Sequence, residues 1–372
     1  MFWISYNKEM NRLKLPSRSA WIAIAIVTLA LSARLIPGER TIDDSYITYR
    51  YARNILAGNG FVYNPGEAVL GTTTPLYTLL MAGLGALTGG VNAPFPTLAL
   101  SVNAAADALT CLILWRLGKR FNAELAGVLG ALLWALAPFS VTFAIGGLET
   151  SVYVLLLMGA MYFYLRGEYP AAFLLAALAL LTRPDALIFI LPMGLDRLIR
   201  WARDKNTPRL SEVLALLLPV AGWAVFATLT FGSPLPHSMT AKLAAYHLAA
   251  DSAFIRLIQH YATPFLDGNI WTDAVAIAIG IILYPFLFII GLLRAGRKDW
   301  HSLFFLLYPI FYFASFAIPN PLIFRWYLTP PLPIYFLVIL LGIDQILSPL
   351  VKRFAVLKRR PWLPLLAAMM SW

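Results

Sequence analysis

Long apolar runs separated by short polar breaks dominate the chain. The runs cover approximately 20–36, 75–89, 96–115, 123–143, 150–165, 170–182, 184–195, 213–231, 272–293, 302–318, 328–347 and 361–372. A membrane-spanning helix takes about 20 residues, with roughly 17–25 as the working range, and several of these runs fall short of it. Their lengths predict helices without fixing how many cross. The basic residues supply the missing constraint, because cytoplasmic loops are enriched in Lys and Arg. Clusters stand at 8–18, 116–120, 197–209, 294–298 and 352–360.

With the N-terminus inside, run 20–36 exits, and cluster 116–120 stays inside only if the chain from 37 to 95 remains outside. Run 75–89, interrupted by Gly83, Gly85, Gly89 and Gly90, is then expected to lie along or dip into the outer leaflet. Stretch 170–195 must likewise turn at Thr182-Arg183-Pro184-Asp185, as two short helices, to keep 197–209 inside. The pattern predicts an all-α polytopic membrane protein of eleven spans. A tail over 1–19 precedes a bundle over 20–347, and 348–372 forms a basic loop with a last span that is incomplete at Trp372. Outer loops are expected at 37–95 and 232–271, with 239–262 as a helix lying in the interface. Ala30-Leu31-Ser32-Ala33 resembles a signal-peptide cleavage site, but the preceding apolar run is long for one and is read as the first span.

Composition agrees with this reading. The chain is 60% hydrophobic and 13% charged, where soluble domains carry roughly 45–50% and about 25%. A net charge of +11 raises the possibility of nucleic acid. The basic residues, however, fall in short clusters between apolar runs, which is how topology is written, and no nucleic-acid partner is expected. Cys111 lies within an apolar run, and the four histidines lack metal-ligand spacing, so neither a disulfide framework nor a cysteine or HExxH metal site is encoded.

Charged groups at or against a membrane are costly and mark candidate sites. Asp43-Asp44-Ser45-Tyr46 follows the first span, and Tyr49-Arg50-Tyr51-Ala52-Arg53-Asn54 continues it as a short helix. One of the two aspartates would suffice to cap that helix; two, followed by aromatics and arginines, suggest a site. Asn64-Pro65-Gly66-Glu67 makes a turn, and Gly71-Thr72-Thr73-Thr74-Pro75 leads into run 75–89. Glu149, at the start of run 150–165, suits a site and a helix N-terminus equally. Arg183, at membrane depth, asks for an anionic partner, and Asp185 stands beside it. His237 and Lys242 in the fourth outer segment, and Arg325 with Tyr327 in the fifth, complete the set on one face. Asp107, deep in run 96–115, is read as a structural polar group that Asn103 and Thr110 satisfy.

No phosphate-binding glycine loop or dinucleotide fingerprint is present, so an activated substrate would have to arrive in the membrane. A lipid-linked phosphosugar meets that requirement, since its phosphate leaves readily and one carboxylate can serve as base on an acceptor hydroxyl. Basic groups or a divalent cation would stabilise the leaving charge. A transporter or flippase of a lipid-linked or anionic substrate is the alternative, and it would place its polar groups near the midplane.

Asp43 to Ile47 with the following Tyr-Arg-Tyr-Ala-Arg, Asn64 to Glu67, and Gly71 to Tyr77 resemble the first outer loop of GT-C superfamily glycosyltransferases. The likeness is to the polyprenyl-phosphate-sugar-dependent group that contains the bacterial arabinofuranosyltransferases, and more distantly to aminoarabinose transferases and protein O-mannosyltransferases. Gly147-Leu148-Glu149-Thr150, Leu181 to Asp185, Gly232 to Pro236 and Arg325 to Leu328 resemble that group's later motifs, in order. The resemblance covers roughly 20–347 and implies a GT-C catalytic domain in the bacterial inner membrane with its site facing outward. It implies transfer, with inversion, from a polyprenyl-phosphate-linked sugar to a glycan, lipid or protein acceptor. Asp43 or Asp44 becomes the base, with Asp43 favoured, and Glu149 the second acid. Tyr46, Arg50, Arg53, Thr73, Arg183, Asp185, His237, Lys242, Arg325 and Tyr327 become substrate-binding candidates. Many relatives continue into further spans or an outer domain, whereas this sequence ends within its last apolar run.

Overall fold

The computed structural model describes residues 17–236, 249, 251–264 and 273–358. Among the described residues every regular element is helical. Helix α1 (Arg18–Leu35) starts where the Ser17 hydroxyl accepts the Ala20 N–H at 3.2 Å. Two shorter helices follow, α2 (Ser45–Leu56) and α3 (Pro75–Thr88). The bundle continues through α4 (Phe95–Arg120), α5 (Glu124–Leu136), α6 (Pro138–Ile145), α7 (Thr150–Leu165), α8 (Tyr169–Thr182), α9 (Leu187–Asp204) and α10 (Leu210–Phe231). After α11 (Ser252–Ala262) come α12 (Asp273–Lys298), the single turn α13 (Leu303–Leu306), α14 (Tyr308–Ala317) and α15 (Leu332–Lys358).

Each described apolar run forms a helix, and proline decides where several break. The stretch 170–195 divides as the sequence predicts. Arg183, next to Pro184, is extended (φ −154°, ψ 135°), because a residue before proline is barred from the helical region. Run 123–143, expected as one span, is instead two helices bent by 48° at Ala137 and Pro138. Pro138 lacks the N–H that would continue α5, and its ring blocks the preceding turn.

Six helical segments among the described residues are long and apolar enough to cross a membrane, or seven if α5 and α6 form one crossing. Helix α3 has 14 residues, about 21 Å at 1.5 Å per residue, well short of a hydrocarbon core of roughly 30 Å. Its Tyr77, Met81 and Ala82 are buried with Tyr49 and Ala52 of α2 and Phe95 and Ala99 of α4. That packing lays α2 and α3 over the start of α4. Leu217, Leu218, Val225 and Leu229 of α10, and Ile282, Phe286 and Ile289 of α12, are exposed. Such a girdle suits lipid and not water. The chain is an integral membrane protein.

Helices pack closely where side chains are absent. A Cβ on Gly118 or Gly127 would strike the other's backbone, which brings α4 against α5. Gly291 and Gly342 do the same for α12 and α15, facing the carbonyls of Val338 and Leu287. The central core includes Trp134, Tyr153, Tyr164, Phe189, Phe305 and Phe336.

Candidate active site

Backbone pairing places the loop between α1 and α2 beside the turn before α7. Arg40 N–H donates to the Ile145 carbonyl and Ile42 N–H to that of Gly146, both at 2.9 Å. Gly147 (φ +78°) closes the turn, and its carbonyl accepts the hydroxyls of Tyr49 at 3.4 Å and Tyr77 at 3.3 Å. A Cβ at Gly147 would land on the Tyr49 hydroxyl. Asn103 of α4 holds the same turn from below, donating to the carbonyls of Ala144 (3.1 Å) and Leu148 (2.9 Å).

The consequence is a cavity of about 590 Å³ whose wall carries Asp44, Thr73, Glu149, Arg183, Asp185 and Tyr327. Asp44 occupies the N-cap position of α2, yet its side chain makes no capping hydrogen bond. Glu149 likewise precedes α7 without capping it. Its carboxylate accepts Arg183 Nη1 at 3.3 Å instead. Asp185 takes the guanidinium in two places, Nε at 3.0 Å and Nη2 at 3.1 Å, and also accepts the Tyr312 hydroxyl at 2.9 Å. The guanidinium lies 4.5 Å from the centre of the Tyr327 ring and 5.3 Å from that of Tyr153. Arg183 is only 3% exposed and Glu149 8%. Burial pushes the Glu149 carboxyl above the usual carboxylate range, against the pull of Arg183. Three acids and one arginine among these residues leave the wall acidic.

The structure thus gathers six of the residues singled out in the sequence and sets others apart. Asp43 is exposed and outside the lining, its Oδ1 accepting the Asp44 N–H at 3.0 Å. Tyr46 is exposed and packs edge-on against Tyr49. Arg50 and Arg53 serve the loop's own architecture. Arg50 donates to the Tyr63 carbonyl at 2.9 Å and to Asn64 at 2.8 Å, and Arg53 to the Val91 carbonyl at 3.0 Å. Arg325 is exposed beside Trp326, which does line the cavity. His237 and Lys242 lie outside the described residues. Among the described residues no three acid, His or Cys side chains gather as a metal-binding group. Thr72 and Thr74 of the wall and Tyr312 behind Asp185 join the site beyond the residues singled out in the sequence; the threonines flank Thr73 in its motif, but Tyr312 lies inside an apolar run with no local signal.

Asp107 is satisfied, as expected, but by different partners. Arg34 Nε donates to it at 2.9 Å, Ser151 at 3.0 Å and Trp134 at 3.1 Å. Thr110 bonds its own helix, at the Ala106 carbonyl, and Asn103 serves the turn before α7. Sequential neighbours on α4 lose to residues that α1, α5 and α7 bring across.

No family model matches the chain. Over 250 residues it is 30% identical to the terminal β-(1→2)-arabinofuranosyltransferase of Mycobacterium tuberculosis, an alignment covering 61% of this chain and 39% of that protein. ArnT from Cupriavidus metallidurans, bound to undecaprenyl phosphate, superposes with a TM-score of 0.62 at 14% identity, over 88% of this chain and 61% of ArnT. The apo state of ArnT gives 0.59 at 15% identity, over 89% and 60%. The chain has the GT-C fold. It spans about two fifths of the length of the transferase and about three fifths of ArnT.

Proposed function

We propose that this GT-C chain transfers a sugar from a polyprenyl-phosphate donor to an acceptor hydroxyl, with Asp44 as general base. The observation that carries the reading is the convergence of Asp44 with the Glu149–Arg183–Asp185 cluster on one cavity. An acceptor oxygen attacks the anomeric carbon while Asp44 takes its proton. The bond from that carbon to the phosphate oxygen breaks, and its electron pair leaves on the polyprenyl phosphate. One displacement inverts the anomeric centre, and no covalent enzyme intermediate is needed. Asp44 is preferred to Asp43 because Asp44 lines the cavity and Asp43 does not.

Arg183 already bonds two carboxylates, so a donor phosphate must compete for it. Its longest contact, Nη1 to Glu149 at 3.3 Å, is the corner a phosphate would take. The acid surplus also calls for a cation near the cavity, and Arg325, next to the lining residue Trp326, is proposed for that role; Lys242, outside the described residues, is kept as a candidate from the sequence. ArnT's undecaprenyl phosphate supports the lipid donor, and the mycobacterial relative's name makes an arabinofuranosyl donor and a glycan acceptor the first pair to assay. The transporter alternative finds less support, because Asp107, the acid in the middle of α4, is sealed within protein by Arg34. The site is proposed to face outward, which the distribution of basic residues supports, and a bacterial inner membrane is what the family resemblance implies.

Asp44→Asn keeps the shape of the carboxylate but cannot accept the proton. It should lower turnover of a polyprenyl-phosphoryl arabinofuranose by about 10²–10⁴ while donor binding persists. Full turnover in Asp44→Asn with none in Asp43→Asn would move the base one residue back. Full turnover in both would remove the mechanism.

A further inference from the structure

A second cavity, of about 850 Å³, opens where the ends of α1, α4, α7 and α12 meet. It lies at the opposite end of α7 from Glu149, a helix of 16 residues, or about 24 Å. Its lining includes five cations, Arg116, Lys119, Arg120, Arg166 and Lys298, against one acid, Asp299. Three of the cations have carboxylate partners. Arg120 meets Asp299 at 2.8 Å, Lys119 meets Glu124 at 3.2 Å, and Arg166 meets Glu168 at 2.8 Å. The hydrogen bonds of Arg116 and Lys298 go to neutral oxygens, the Tyr162 hydroxyl at 3.5 Å and Asn122 Oδ1 at 2.6 Å.

Basic residues on one face follow from topology alone. Topology does not require three helices to turn theirs into one cavity. Nor does it require Arg116 and Arg166 to share one phenol oxygen, at 3.5 and 3.0 Å. Like charges held this close repel, and a bound anion removes the repulsion. Arg120 adds unused capacity, since its Nε is buried without a hydrogen-bond partner. Trp115, Phe121 and Tyr162 furnish aromatic wall, and Trp and Tyr are the residues that sit at a headgroup boundary.

We propose that this cavity binds the phosphate of an anionic membrane lipid. Guanidinium groups match the phosphate oxygens, and a position between the ends of apolar helices supplies the lipid in preference to a soluble anion. The site is independent of the transfer reaction proposed for the other cavity.

The test compares retention of phosphatidylglycerol and phosphatidylcholine by the purified full chain, measured by native mass spectrometry after stepwise delipidation. Thermal unfolding with each lipid, and with inorganic phosphate, is followed in parallel. Wild-type protein should hold phosphatidylglycerol about tenfold more strongly than phosphatidylcholine, and Arg116→Gln/Lys298→Gln should abolish that preference. Neither substitution breaks a carboxylate pair, so unfolding in phosphatidylcholine should be unchanged; if this variant fails to fold, Arg166→Gln carries the same comparison. The double variant Arg203→Gln/Arg297→Gln, which removes two charges outside the lining, should keep the preference. Equal loss in both double variants, or no preference in the wild type, overturns the proposal. Inorganic phosphate reproducing the whole stabilisation overturns the lipid as its source.

Discussion

Arg34 and Arg183 are both buried arginines bonded to carboxylates, yet they sit in opposite kinds of surroundings. Arg34 is wholly buried among α1, α4, α5 and α6. Besides Asp107 it reaches the carbonyls of Ala30, Trp134 and Ala135 and the hydroxyl of Ser140. Every side of that guanidinium meets protein. Arg183 is nearly as buried, but its cluster forms the wall of an open cavity that Asp44 and the threonines share. Burial of a charge therefore does not identify a site. What separates the two is whether a substrate could reach the group.

The comparison is broken most directly by removing one partner of the sealed pair. Arg34→Met leaves Asp107 buried and uncompensated, which should cost about 3–5 kcal/mol of stability. Arg34→Met/Asp107→Leu should recover much of the loss, since a well-packed apolar pair can replace a buried ion pair. Thermal unfolding and turnover per folded molecule measure both, and turnover should stay near wild type. A stable single variant with no turnover would make Arg34 part of the chemistry and erase the contrast.

Arg183→Lys sharpens it from the other side. The charge remains, but the two-point contact with Asp185 and the planar face on Tyr327 are lost. Donor KM should rise about tenfold with a smaller change in unfolding temperature. Unchanged kinetics with a large drop in stability would show Arg183 to be a second Arg34. The smallest effect is expected at Tyr312→Phe, which deletes one hydrogen bond to Asp185, about 1 kcal/mol, and should slow turnover a few-fold at most. A loss as large as that of Asp44→Asn would place Tyr312 in the reaction itself.

The helices were legible because apolar runs and prolines act locally. Run 150–165 and helix α7 share their bounds, and Pro184 fixes the break between α8 and α9. The bend at Pro138 had the same signal and went unread, because the run's apolar length outweighed a single proline. Within the site, Glu149, Arg183 and Asp185 were visible as charges next to apolar segments. The choice between Asp43 and Asp44 was not, since adjacent residues at a helix start point in different directions once the loop is anchored. Partner identity was least legible. Asp107 is bonded from Arg34, Trp134 and Ser151, which stand 73, 27 and 44 residues away, and no spacing rule reaches that far.

Gly147 has a consequence beyond its turn. Its carbonyl receives the phenols of Tyr49 and Tyr77 and its α-carbon faces that of Tyr49, so α2 meets the turn before α7 through a tyrosine hydroxyl set directly on backbone. The interval between the aspartate of the first loop and the ion cluster behind it is therefore gauged by a missing methyl group. Substitutions along the cavity wall can alter what lines it, but widening or narrowing that interval requires moving a whole helix.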